Sequence, residues 1–356
     1  MNIHSYPSPA PDTARAKAPT LIVPYMWLGD FVRCHTVVRL IKAREPDRAV
    51  DMLTTATAAP LLDYMPGVRK GIVCDLPRNR LAFAAHQELA ERLKRESYGR
   101  ALVMSRKWKA ALAPCLAGIP VRTGMFGEWR FGLINDLRFG ERGLPRMIDC
   151  CVALALPAGA TAPADLPLPE LVVPAAEQLA WRSRRGLDAA AGPIVTLAPG
   201  AVGPGKAWPV AHYAELARAV TAEGADVWII GGPSEKALAA QIVQAAGDRA
   251  RDLTGHDLRD AILALSCADA AVSNDSGLMH IAAALGRPAI AVFGPTSPWH
   301  WAPLNPLAAV LEPPPMTTCP TCGRSDCTDV RHRRTADVAP ARVLDAVRRV
   351  LEGRAL

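Results

Sequence analysis

Short apolar runs and amphipathic stretches alternate along most of the chain, and this alternation predicts its elements. Leu21-Ile22-Val23 reads as a buried strand. Cys34, Val37, Val38 and Ile41 then recur at helical spacing and stop before Pro46. The same pairing predicts a strand over 49–53 with a helix over 56–65, a strand over 72–74 with a helix over 82–96, and a strand over 101–104 with a helix over 108–116. After a stretch rich in Pro and Ala, which includes a helix over 175–185, the pattern resumes. Strands are predicted over 194–197, 225–230, 270–272 and 289–293, and helices over 211–222, from 235 to 246, over 258–267 and from 278 onward. Val343, Leu344, Val347 and Leu351 predict a closing helix. Strands that alternate with helices imply an α/β chain with mostly parallel sheets, here two Rossmann-like, doubly wound domains. The expected division is a disordered tail over 1–19, a first domain over 20–156, a linker over 157–190, a second domain over 191–335 and a helix within 336–356.

Composition narrows the function classes. A chain of 356 residues, half of them hydrophobic, suits two domains with substantial cores. Its net charge of +7 points to an anionic partner. Aromatic residues make up only 5%, and no interleaving of Arg with aromatics resembles an RNA-binding sheet, so nucleic acid is not the expected partner. The first twenty residues lack the apolar core of a signal peptide, and no apolar run reaches the roughly 18 residues of a membrane span. Nine scattered cysteines suggest a reducing compartment, with the cytoplasm as the default address.

The candidate chemistry lies where strands end. Ser273-Asn274-Asp275-Ser276-Gly277-Leu278-Met279-His280 joins an apolar run to a helix start, a position that attracts anions. Asp275 and Ser276 would face a ligand, Gly277 would let it approach the backbone, and His280 one turn on would share the site. Asp30 is expected to cap the first helix and to serve as a base at the sheet edge. Arg78, Arg80, Arg106, Lys107, Lys109, Arg122, Arg130 and Arg138 form a basic rim suited to an anionic acceptor. Gly200-x4-Gly205-Lys206 follows the P-loop spacing, but Ala207 replaces the hydroxyl that binds magnesium, and Trp208-Pro209 interrupts the helix that should begin there. This argues against a P-loop kinase or ATPase. Lys206 still offers a charge for a phosphate, and Glu235 follows a Gly-Gly turn nearby in the same domain. There is no Asp-x-Asp motif. Cys319, Cys322, Cys327 and His332 have partial zinc-ligand character, but one cysteine pair plus singles is read first as free thiols.

Taken together, these segments suit group transfer from a nucleotide-activated donor to a hydroxyl. They also carry a resemblance. Leu28-Gly29-Asp30, the stretches 117–124 and 127–136, Ala198-Pro199-Gly200, Gly205-Lys206-Ala207-Trp208-Pro209, the stretch 273–280 and the stretch 293–298 resemble the ADP-heptose:lipopolysaccharide heptosyltransferases, glycosyltransferase family 9. The likeness runs from about Leu21 to the last helix. The loop before Asp30 is one residue longer than is usual there, and the surroundings of Lys206 vary.

The resemblance implies a GT-B fold of two Rossmann-like domains facing a central cleft, with no cofactor. It implies inverting transfer of heptose from ADP-heptose to the heptosyl-Kdo2-lipid A inner core, or to another acceptor of the family. It places the enzyme in peripheral contact with the inner face of the inner membrane. Asp30 would be the general base and Lys206 would hold the donor diphosphate. Gly200, Asp275, Ser276, Gly277 and His280 would border the diphosphate and sugar, Glu235 the ribose, and His256 the adenine. A sugar-nucleotide epimerase and a non-catalytic nucleotide-binding module are the alternatives in other classes.

Overall fold

The apolar runs become central strands. The computed structural model describes residues 18–77, 81–144, 146–190, 192–315, 318–325 and 327–354. It divides into two units, Met1–Pro169 and Glu170–Leu356. In the first, β1 (Thr20–Val23), β2 (Val50–Thr54), β3 (Lys70–Val73), β4 (Arg100–Val103), β5 (Val121–Met125) and β6 (Asp136–Arg138) form one sheet in the order β3-β2-β1-β4-β5-β6. In the second, β7 (Ile194–Ala198), β8 (Asp226–Gly231), β9 (Ala250–Thr254), β10 (Ala270–Asn274), β11 (Ala289–Val292) and β12 (Ala308–Leu311) repeat the plan as β12-β11-β10-β7-β8-β9. Every strand pair is parallel.

Parallel strands need crossover helices, and these bury both faces of each sheet. Leu21, Val23, Ala101 and Val103 pack beneath Leu89, Leu93 and Ala111 of the helices Phe83–Lys94 and Trp108–Leu116. On another side of this unit Leu40 packs against Val152 and Leu156. In the second unit Val195, Leu197, Val227 and Ile229 pack with Leu216, Val220 and Ile242. The closing helix, Pro340–Leu351, adds Val343 and Val347 to that same core. Trp181 of the helix Ala175–Arg184 is buried against Trp228 of β8, with ring centroids 5.9 Å apart. Each sheet reverses its order once, between β1 and β4 and between β7 and β10. That reversal opens a crevice at the carboxyl ends of the strands. Among the described residues no helix is long and apolar enough to cross a membrane.

Several elements differ from expectation. The helix predicted over 56–65 is a shorter 3-10 element, Ala59–Tyr64, with Pro60 in its first turn, where the missing N–H costs nothing. The first helix starts at Leu28, with Trp27 at its N-cap, so Asp30 lies inside the first turn and not at the cap. That helix ends at Arg33, and a second, His35–Arg44, follows across Cys34. β5, β6, β9 and β12 have no counterpart among the predicted strands.

Candidate active site

In the second unit the loops after β7, β8, β10 and β11 converge. Asn274, fully buried at the end of β10, donates from Nδ2 to the carbonyls of Pro199 (2.8 Å) and Gly200 (3.3 Å). Its Oδ1 accepts from the Trp208 backbone N–H at 2.9 Å. One amide side chain thus ties both ends of the glycine-rich loop to the neighbouring strand. Between those ends Gly203 (φ +115°) and Gly205 (φ +71°) take left-handed conformations that disfavour other residues. This path brings the Lys206 ammonium 2.7 Å from Oδ2 of Asp275, which also accepts from the Thr296 hydroxyl at 2.8 Å. Asp275 is buried, while about a quarter (26%) of the Lys206 side chain stays exposed. A buried carboxylate therefore anchors a cation that still reaches solvent.

Ser276 occupies the N-cap of the helix Gly277–Ala284 without a side-chain cap bond; its hydroxyl lies 3.1 Å from that of Ser273. His280 is buried one turn into that helix. Glu235 accepts from the Gly232 N–H (2.7 Å) and the Ser234 hydroxyl (2.7 Å), and its carboxyl group packs onto Gly200, where a β-carbon would come within 2.9 Å. His256 is exposed and faces Arg185 at 3.4 Å, apart from the Lys206–Asp275 pair. Thr296 and Asn274 are contributors that sequence reasoning missed as individual residues, although both lie inside motifs that it recognised.

In the first unit a cavity of about 700 Å³ opens at the carboxyl ends of β1 to β4. Tyr25, Trp27, Thr55 and Cys74 line it, as do Arg106, Lys107 and Lys109. Asp30 is half-buried one helical step beyond Trp27 and is not itself part of the lining. Arg106 pairs with Glu141 (2.8 Å) and Lys107 with Glu128 (2.6 Å), both exposed cations. Burial pushes the Cys74 thiol up to about 11.

The basic rim is smaller than expected. Arg130 is buried, with its guanidinium on the carbonyls of Ser105 (2.5 Å) and Met125 (2.5 Å), and burial lowers its pKa to about 10. A β-carbon at Gly124 would come within 2.8 Å of it. Arg122 turns onto the carbonyls of Ile119, Leu133 and Gly132, and Arg138 is buried against Asp136. These three arginines hold loops together; Arg130 and Arg138 are buried and Arg122 is half-buried. Arg78 and Arg80 lie outside the described residues.

The four metal-ligand candidates of the sequence also meet. The sulfurs of Cys319, Cys322 and Cys327 and a ring nitrogen of His332 lie within 4.8 Å of one another.

Known proteins resemble this chain in sequence and in fold. The signature of glycosyltransferase family 9 (heptosyltransferase) matches residues 86–327. The chain is 34% identical to lipopolysaccharide heptosyltransferase 2 of Escherichia coli K12, over 93% of this chain and 98% of that protein. It is 35% identical, with the same coverage, to lipopolysaccharide heptosyltransferase 2 of Salmonella typhimurium. The solved structure of E. coli ADP-heptose lps heptosyltransferase II superposes with a TM-score of 0.82 and 32% identity, over 94% of this chain and 99% of that one. The two doubly wound units are those of the GT-B fold. On its sequence and on its fold, this chain belongs to glycosyltransferase family 9, the heptosyltransferases.

Proposed function

We propose that this chain transfers L-glycero-D-manno-heptose from ADP-heptose to the heptosyl-Kdo2-lipid A inner core of lipopolysaccharide, with inversion at the anomeric carbon. The observation that carries this reading is Lys206 held on Asp275 at the β7/β10 switch point, where a diphosphate would sit. The relatives named heptosyltransferase 2, similar over nearly their whole length, support the same choice of donor and acceptor.

Chemically, the second unit grips the leaving group. As the bond to the heptose breaks, negative charge grows on the departing ADP. Lys206 and the N–H groups at the start of the helix Gly277–Ala284 offset that charge, each such group contributing about 3 kcal/mol. Glu235 bonds the ribose, and Gly200 lets its carboxyl group pack close to the backbone. The first unit supplies the base: Asp30 takes the proton of the attacking hydroxyl, a contribution of about 10²–10⁴ in rate. Arg106, Lys107 and Lys109 draw the anionic inner core into the first-unit cavity. The enzyme works at the inner face of the inner membrane, in peripheral contact with the lipid that carries its acceptor.

Radiolabelled ADP-heptose offered with heptosyl-Kdo2-lipid A and, separately, with Kdo2-lipid A tests the reading. Transfer to the first alone is expected. Transfer to the second alone would move the chain to the preceding step, and release of free sugar without either acceptor would make it an epimerase or hydrolase.

A further inference from the structure

The segment between β12 and the closing helix is irregular, yet it gathers three thiols and an imidazole. We propose that Cys319, Cys322, Cys327 and His332 bind one structural zinc ion, and that the ion braces the Lys206 loop through Thr335.

The proposal rests on how the four donor atoms converge. A tetrahedral zinc with bonds of about 2.0–2.3 Å sets its ligand atoms roughly 3.3–3.8 Å apart. Nδ1 of His332 lies 3.6 Å from the Cys319 sulfur and 3.3 Å from the Cys327 sulfur. That nitrogen has one lone pair or one N–H, so it cannot make a well-aligned hydrogen bond to both sulfurs. An ion between the three atoms satisfies all of them. Nε2 of the same ring faces the Asp329 carboxylate at 3.9 Å, on the side where a ligating histidine commonly meets a carboxylate. The turn Cys319-Pro320-Thr321-Cys322-Gly323 suits two ligands on one ion. Gly323 N–H closes it onto the Cys319 carbonyl at 2.8 Å, and Gly323 takes φ +73°, a region that favours glycine. Cys319 is buried and Cys322 exposed, so the ion would sit at the edge of the unit and not in its core. Three thiolates and one imidazole form a soft, closed donor set, which selects zinc over magnesium or calcium and leaves no open position for catalysis.

The brace follows from what comes next in the chain. Three residues after His332, the Thr335 hydroxyl lies 2.7 Å from the Ala207 carbonyl and 3.3 Å from the Gly205 carbonyl. These two carbonyls flank Lys206. Gly294 leaves room for the contact, since a β-carbon there would come within 2.7 Å of Thr335.

Elemental analysis of the full chain, purified without a histidine tag, tests the site. One zinc per chain is expected, lost in the Cys322→Ser/Cys327→Ser variant. Metal-free wild type with freely titrating thiols, or iron with its thiolate charge-transfer absorption, would overturn the assignment. The brace is tested by Thr335→Val, which keeps the ligands. Zinc retained with ADP affinity down several-fold is expected, whereas unchanged ADP affinity would overturn the brace. The metal count stands or falls independently of the acceptor and of the proposed transfer reaction.

Discussion

The Lys206 ammonium and the Asp275 carboxylate are 2.7 Å apart, although 69 residues separate them in the chain. Asp275 is 8% exposed, so its charge is compensated locally by Lys206 and by the Thr296 hydroxyl. Removing the cation leaves a buried carboxylate with one neutral donor. Lys206→Ala should therefore lower kcat/KM for ADP-heptose by about 10²–10³ and also lower the thermal midpoint. Steady-state kinetics and a melting curve check both, and near-normal turnover would place the diphosphate grip elsewhere.

Asp30→Asn keeps the size of the side chain and removes its basicity. Transfer should fall by at least about 10² while ADP-heptose binding, measured by calorimetry, stays within a few-fold of wild type. A variant that turns over normally would exclude this carboxylate as the base.

At Gly200 a β-carbon would lie within 2.9 Å of the Glu235 side chain, whose carboxylate is already engaged by the Gly232 N–H. Gly200→Ala must push that carboxylate away. The expected cost is about 1–3 kcal/mol, visible as weaker ADP binding with a smaller change in acceptor KM. Equal losses on both substrates would point to general misfolding instead.

Arg106 and Lys107 are exposed and form pairs of the surface kind, so their loss should cost little stability. The double variant Arg106→Ala/Lys107→Ala should raise the acceptor KM several-fold and flatten its dependence on salt, with the ADP-heptose KM unchanged. Titrating both substrates at two ionic strengths distinguishes this from a donor-side effect.

Cys74 lines the first-unit cavity, and its thiol is raised from 9.0 to about 11 by burial. The folded protein therefore holds about a hundred-fold less thiolate there at pH 8 than an ordinary cysteine does. Alkylation followed by peptide mapping should find Cys74 slow near neutral pH and accelerating as pH approaches 11. Rapid modification at pH 7 would show that the cavity wall is more open than described.

Among the strands legible in the sequence, the clearest are those buried along their whole length. β7 and β10 lie at the centre of their sheet and appear as nearly continuous apolar runs, Ile194 to Leu197, broken by Thr196, and Ala270 to Val272. β9 reads Ala-Arg-Asp-Leu-Thr and β6 reads Asp-Leu-Arg; edge strands tolerate charge, and the hydrophobic signal is lost with it. In the site, Lys206 and Asp275 are each legible as part of a motif. Their contact depends on β10 lying beside β7, which local pattern does not state. Arg130 shows the converse. One receiving carbonyl, Met125, lies five residues before it, but the other, Ser105, lies 25 residues away, and no local pattern announces that pairing.

Asn274 bonds to Pro199 and Gly200 on one side and to Trp208 on the other, which makes the stretch between them a hoop clasped at one point. For anyone redesigning sugar choice, this sorts positions into two groups. Changes at the clasp would slacken every residue of the hoop together, whatever donor is offered. Libraries aimed at new activated sugars should therefore leave Asn274 fixed and vary the residues that the hoop carries.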